Sequence, residues 1–289
     1  MKLHDLIITN KVFEQLITPL SIEIFFEKYL LKQPLLIKGI TEKFVFLPDK
    51  EEILSISENA DSIRAVFKEL KQIDISHEKI VDMFSIGATI CITGLENAHN
   101  QLFQLCKSVK CELGFNGRVS LRAYWSPKGA GFSKHWDPRM VTTLQIEGNK
   151  KWYYAQTPYL NFPKYNSPYP LTEEMESHLN TTVVHCIDLS PGDFLCLPPG
   201  VIHWAEAQSE TSFAYNLAFD YIGNNVVETV LNILKNRLNE NSNLQAPLFG
   251  VGKHYNKEVK KQILTAVDWI KNELKHMPNI LSNEYQIDD

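Results

Sequence analysis

Two histidines and one aspartate carry the chemistry this sequence offers. His135 and Asp137 stand two apart in GFSKHWDPRM, and the run PGDFLCLPPGVIHW supplies His203. On an extended backbone residues i and i+2 share a face. One segment can therefore deliver an imidazole and a carboxylate to one ion while Trp136 points away. Pro138 ends regular ladder pairing just beyond, which places the pair at a strand end or in a loop. Pro191-Gly192-Asp193 reads as a turn, DFLCL as a buried strand, and Pro198-Pro199-Gly200 as a rigid turn presenting His203. Two histidines and a carboxylate cap one face of a metal and leave the other positions open, the protein side of a non-haem Fe(II) oxygenase. Zinc can use the same donors, and the open half of the site is what favours iron. A His-x-Asp alone arises readily by chance; the setting of His203 gives the set its weight.

A 2-oxoglutarate enzyme also needs a cation for the distal carboxylate of its cosubstrate. Lys150 and Lys151 are the candidates, and periodicity cannot choose between neighbours that face opposite ways. A flat hairpin turning at Gly148-Asn149 would carry both roughly 25–30 Å along the strand from Asp137, at about 3.3 Å per residue. Either lysine reaches the metal only if the chain crosses between sheets. In SFAYNLAFDY, Ala214, Asn216 and Ala218 share a face, small residues around a polar one, as on a wall lining a ligand cavity. Asn216 can point at cosubstrate or substrate, or bond within the core, and Tyr124 has the same two readings. Arg118, Arg122 and Arg139 lie nearby; each could bind a substrate carboxylate or close a salt bridge. His185 reads as structural and the remaining histidines as surface residues.

Several elements must position these groups. Residues 21–33 predict a helix capped by Ser21 and stopped by Pro34, followed by a short strand over 34–39. Pro48 at a first helical position opens a helix to about Ser57. Residues 61–80 have no clear pattern. GATICITG reads as a strand, and 100–113 as a helix burying Leu102, Leu105, Cys106 and Val109. From Arg118 the runs VSLRAYW, VTTLQI, KWYYAQ, TVVHCIDL, DFLCLP and SFAYNLAFDY predict short strands of a sandwich or barrel. Beyond Gly223, Val226 to Leu238 and Val259 to Leu274 mark two amphipathic helices joined by a loop with Pro247 and Gly250. The domain reading is 1–117 as a flanking helical and strand segment, 118–222 as the barrel core, and 223–289 as a helical hairpin that can pad the barrel or form a dimer contact.

The 289 residues are 44% hydrophobic with a formal net charge of -5, so a sizeable core is expected and a basic nucleic-acid face is not. Five cysteines without C-x-x-C spacing indicate neither a disulfide frame nor a zinc knot. With no signal peptide or apolar span, the sequence reads as a soluble cytoplasmic protein.

The order GATICITGLE, RAYWSPKGAGFSKHWDPRMVTTLQIEGNKKW, DLSPGDFLCLPPGVIHWAEA resembles the JmjC/cupin-like 2-oxoglutarate oxygenases, nearest the ribosomal-oxygenase branch that hydroxylates protein side chains. The opening FFEKYLLKQPLLIKG is similar as well, so the resemblance spans about 20–222. It implies a mainly β double-stranded β-helix with flanking helices and a C-terminal helical hairpin. It implies His135, Asp137 and His203 as Fe(II) ligands, and 2-oxoglutarate and O2 as co-reactants. The family's cosubstrate lysine lies fifteen residues after the first ligand histidine, which selects Lys150. Arg122 stands where relatives often carry a small polar residue, so that pocket is expected to differ. The C-terminal helices fit the branch's dimerisation helices and imply a homodimer, but no room remains for the winged-helix domain that follows them there, which counts against a ribosomal protein as substrate. The expected activity is hydroxylation of a protein or peptide side chain, with a small-molecule hydroxylase or a non-oxidative metal-binding cupin as alternatives.

Overall fold

A computed structural model describes residues 2–68, 72–220, 226–241 and 257–285. The chain divides into two compact units, Met1–Ile222 and Gly223–Asp289. In the first, α1 (Leu3–Ile8) and α2 (Val12–Ile17) precede α3 (Ile22–Ile24), which runs into a π-helical turn over Phe25–Tyr29. Ser21 Oγ does cap this element, accepting from the Ile24 amide at 3.4 Å. The helix nevertheless stops short of Pro34. Leu31 takes a left-handed φ of 59° and turns the chain into β1 (Leu35–Ile37), in register with Cys196 to Phe194. The next helix, α4 (Lys50–Ile56), is capped by Asp49, whose Oδ1 accepts from the Glu52 amide at 2.9 Å, so Pro48 lies outside it.

The stretch without a clear pattern holds β2 (Ser62–Val66) and β3 (Gln72–Asp74), followed by α5 (Ile80–Ser85), β4 (Thr89–Thr93), α6 (Leu95–Ala98) and α7 (Asn100–Glu112). The remaining strands are β5 (Arg118–Pro127), β6 (Gly131–His135), β7 (Val141–Glu147), β8 (Lys150–Ala155), β9 (Val184–Leu189), β10 (Phe194–Leu197), β11 (His203–Ala207) and β12 (Thr211–Asp220), with α8 (Glu173–Thr181) inserted before β9. They form an eight-stranded sheet, β1-β10-β7-β12-β5-β4-β2-β3, and a four-stranded sheet, β6-β11-β8-β9. All pairings are antiparallel. This is the double-stranded β-helix architecture with flanking helices. The chain alternates between the sheets from β6 to β7 to β8, so the Gly148-Asn149 turn does not make a flat hairpin.

The two faces of the large sheet differ in chemistry. On β12, Phe213, Tyr215, Leu217 and Phe219 are buried in one cluster with Leu121 and Ala123 of β5, Leu6, Phe13 and Leu16 of the N-terminal helices, and Leu102, Leu105 and Val109 of α7. Burial of each large side chain contributes about 1.5–3 kcal/mol, which anchors the helices on that face. The opposite face turns toward the small sheet. There Val141, Trp152, Tyr154, Leu189, Leu195 and Leu197 form a second cluster.

The second unit holds α9 (Val226–Glu240) and α10 (Lys257–Tyr285). Arg237 Nε meets Glu273 Oε2 at 3.3 Å, tying one helix to the other. Ile233 and Leu234 are buried, while Leu231, Leu264 and Leu274 are exposed. The loop expected around Pro247 and Gly250 lies outside the described residues. Among the described residues no helix is long and apolar enough to cross a membrane.

Candidate active site

His135 ends β6 and His203 begins β11, and the two are paired across the small sheet with ring centroids 4.3 Å apart. Neither GFSKH nor HWAEA is rich in β-branched residues, so sequence propensity did not mark these as strands; cross-strand pairing makes them so. Just past β6, the Asp137 carbonyl accepts from the Gly200 amide at 3.0 Å, which ties the Pro-Pro-Gly turn to the His-x-Asp segment. Trp136 points away from the two ligands as expected. It is buried, stacks on Tyr159 at 5.2 Å and donates from Nε1 to the Tyr165 carbonyl at 3.3 Å.

The Nε2 atoms of His135 and His203 each lie 3.7 Å from Asp137 Oδ2. One donor atom from each of the three residues falls within 4.8 Å of the others. The far ring nitrogens are already engaged: Nδ1 of His135 bonds the Ser133 carbonyl at 2.7 Å, and Nδ1 of His203 bonds the Val201 carbonyl at 2.9 Å. A carbonyl only accepts, so each Nδ1 carries the proton and each Nε2 turns its lone pair toward Asp137. Burial, reinforced by neighbouring His135, pushes the His203 pKa down to about 4, which keeps that imidazole neutral and ready to ligate. Two imidazoles and one carboxylate on one side of an open space fit a divalent ion of the Fe(II) type.

That space is a cavity of about 490 Å³. Lys150 lines it and is only 3% exposed. Its strand β8 pairs with β11 so that Tyr154 is opposite His203, four residues from Lys150. The separation is roughly 13 Å along the strand, a span that a lysine side chain and a five-carbon dicarboxylate fill together. Lys150 Nζ crosses to the large sheet and donates to Ser126 Oγ at 3.1 Å. Among the described residues no carboxylate lies within ion-pair distance of it. Burial pushes its pKa down to about 8. A buried ammonium held by one hydroxyl fits the distal carboxylate of 2-oxoglutarate. Lys151 faces outward, 3.9 Å from Asp188.

Tyr124 and Asn216 line the same cavity. Burial raises the Tyr124 pKa and keeps its phenol protonated. Asn216 Nδ2 donates to the Thr142 carbonyl, so part of its amide is committed to the sheet. Arg122 and Arg139 also line the cavity, whereas Arg118 pairs with Asp61 at 2.9 Å and Glu96 at 2.7 Å. His185 bonds Gln156 and stacks on Tyr154 at 5.0 Å, in keeping with its structural reading.

Sequence reasoning missed five contributors. Trp152 stacks on His203 at 5.8 Å, and its Nε1 is buried without a partner among the described residues. Arg64 reaches the cavity from β2, whose only signal was the alternation of Ile63 and Ala65. Asn166, Ser167 and Tyr169 come from a segment without regular structure.

Fold and site together define a class: a cupin-type double-stranded β-helix with a two-histidine, one-carboxylate cradle and a buried lysine in the same cavity. Residues 96–225 match the family model for the JmjC domain, and the chain resembles the ribosomal-oxygenase branch of the 2-oxoglutarate oxygenases. An uncharacterized protein, YxbC of Bacillus subtilis (strain 168), is 25% identical over 239 residues, 73% of this chain and 72% of its own. Ribosomal oxygenase 2 of Mus musculus is 27% identical over 247 residues, 75% of this chain, and the chain spans only 48% of that relative's length. The Escherichia coli ribosomal oxygenase YcfD, solved with cobalt and 2-oxoglutarate, superposes with a TM-score of 0.60 at 18% identity over 90% of this chain and 69% of its own, a likeness of fold.

Proposed function

We propose that this protein is an Fe(II)- and 2-oxoglutarate-dependent dioxygenase that hydroxylates a side chain of a protein or peptide. The observation that carries the reading is the convergence of both Nε2 atoms on Asp137 in a cavity that also buries Lys150 without a carboxylate partner. In this reading His135, Asp137 and His203 hold the metal, Lys150 receives the distal carboxylate of 2-oxoglutarate in a charge-assisted bond, and Tyr124 and Asn216 border the cosubstrate. Bound Fe(II) and 2-oxoglutarate supply the O2 activation; the chain's share is positioning and exclusion of water. The stacked Trp152 and the buried wall around His203 serve that exclusion.

A polypeptide substrate is supported by the segment from Leu160 to Tyr169, which exposes Leu160, Phe162, Tyr165 and Tyr169, the last also lining the cavity. Exposed aromatics on a segment that reaches the cavity through Tyr169 are contact surface for a chain rather than for a small metabolite. The exposed apolar residues of α9 and α10 support self-association as a homodimer through the 223–289 helices. Within this reading, 118–222 is the catalytic barrel, 1–117 its flank, and the cytoplasm its compartment.

The test is anaerobic addition of Fe(II) and then 2-oxoglutarate to the metal-free protein. A visible metal-to-ligand charge-transfer band should appear, be absent in Asp137→Ala and weaken in Lys150→Ala. A folded, iron-loaded protein that gives no band would favour a non-oxidative metal-binding cupin.

A further inference from the structure

We infer that the substrate of this site presents a carboxylate to Arg64, Arg122 and Arg139. The inference rests on the oxygenase reading and adds the chemistry of what that oxygenase accepts.

The three arginines come from separate elements yet line the cavity that holds the metal triad. The register of the large sheet aligns Arg64 of β2 with Cys91 of β4 and Tyr124 of β5. Arg122 lies two residues from Tyr124 on β5, and so on the same face. Arg139 follows Asp137 by two. Among the described residues none of the three has a carboxylate within ion-pair distance, in contrast to Arg118, which has two. Arg64 is held by neutral groups, Nη1 donating to Gln72 Oε1 at 2.7 Å and Nη2 to Cys91 Sγ at 3.6 Å. The Nε atoms of both Arg64 and Arg122 are buried without a partner. Guanidiniums without counter-ions in a shared cavity are costly unless a ligand supplies the charge, and their planar fork matches a carboxylate.

The cosubstrate does not use up this charge. A divalent metal and the 2-oxoglutarate dianion cancel, and the single charge of Asp137, which acts on Arg122, offsets only one of the four cations Lys150, Arg64, Arg122 and Arg139. An excess of positive charge remains in the cavity with both groups bound. A substrate lysine or arginine would meet like charge, which such an arrangement selects against. An acidic substrate side chain would complete the balance. The same carboxylate could come from an aspartyl residue of a peptide or from a free small acid.

The experiment uses the full chain loaded with Co(II) and 2-oxoglutarate under anaerobic conditions, with binding read by calorimetry. The probes are capped pentapeptides Gly-Gly-X-Gly-Gly with X as Asp, Asn, His or Arg, together with capped single aspartate. The aspartyl peptide should bind at least about tenfold more tightly than its asparaginyl isostere. That advantage should vanish in Arg122→Gln and shrink in Arg139→Gln, with 2-oxoglutarate affinity unchanged in both. Arg139→Gln, outside any strand, serves as the second variant if Arg122→Gln does not fold. A capped aspartate that binds as well as the pentapeptide would support the inference and assign a small acid; tighter binding of the pentapeptide would support it and assign a polypeptide. Equal binding of the Asp and Asn peptides, preference for His or Arg, no binding of any probe at millimolar concentration, or loss of 2-oxoglutarate affinity in Arg122→Gln would each overturn the inference. A metal-loaded wild type that fails to take up 2-oxoglutarate before any peptide is added would overturn the oxygenase reading itself, and this inference with it.

Discussion

Replacing Lys150 with methionine should move stability and cosubstrate affinity in opposite directions. In the ligand-free protein the ammonium is 3% exposed and has a single bond, to Ser126. Its folded pKa of about 8 lies below the usual lysine value of 10.5, so the folded state holds this proton less tightly than the unfolded chain does. At about 1.4 kcal/mol per unit, the penalty below pH 8 is on the order of 3 kcal/mol. Methionine fills a similar volume, removes the charge and gives up one hydrogen bond worth about 1 kcal/mol. Ser126 keeps its bond from Thr89 at 3.0 Å. The variant should therefore be more stable than wild type by on the order of 2 kcal/mol at pH 7. The sign of the pH dependence follows. Between about pH 8 and 10.5 the unfolded state binds more protons, so wild-type stability rises with pH through that window and the gap to the variant closes. Guanidinium unfolding at pH 7 and at the alkaline end measures this. With cosubstrate, the variant leaves a buried carboxylate facing a thioether, a loss of about 3–5 kcal/mol, or about two to three and a half orders of magnitude in affinity. Calorimetry of 2-oxoglutarate binding to the Co(II) form measures it. A variant that is less stable than wild type at pH 7 and binds 2-oxoglutarate within fivefold of it would refute both the burial and the role assigned to Lys150.

Two further substitutions separate the metal cradle from its scaffold. A Cβ on Gly131 would fall 1.9 Å from the Ala205 carbonyl oxygen, forcing β6, which carries His135, away from β11, which carries His203. Gly131→Ala should cost about 1–3 kcal/mol and weaken Co(II) binding about tenfold or more; unchanged affinity in a folded variant would show that strand spacing does not set the site. Asp193, 1% exposed, accepts from the Ser190 amide at 2.8 Å and the Gly39 amide at 3.0 Å and pairs with Lys38. Asp193→Ala should cost about 3 kcal/mol or more by stranding these donors, with 2-oxoglutarate affinity preserved; a selective loss of cosubstrate binding instead would give this turn a functional role.

Local patterns reached a long way into this protein. The alternation in SFAYNLAFDY separated a helix-packed face from a cavity face. The i, i+2 spacing of His135 and Asp137 and the proline after them located the pair at a strand end. Strands β7, β8, β9, β10 and β12 were legible because β-branched and aromatic residues at period two are a local signal.

Other features depended on partners distant in the chain. Strands β6 and β11 have weak propensity and exist through their pairing, which is what sets His203 beside His135. Periodicity could not choose Lys150 over Lys151; the resemblance did so, and the crossing between sheets after Gly148 turns Lys150 into the cavity. Strands β2 and β3 extend the large sheet because β4 offers a pairing edge, and that extension is what brings Arg64 to the cavity. Arg118, Arg122 and Arg139 looked equivalent in the sequence. Arg118 found Asp61 and Glu96, while the other two line the cavity of His135, Asp137 and His203, because the charge environment of a side chain is a property of the packed sheets and not of the residues beside it in the chain.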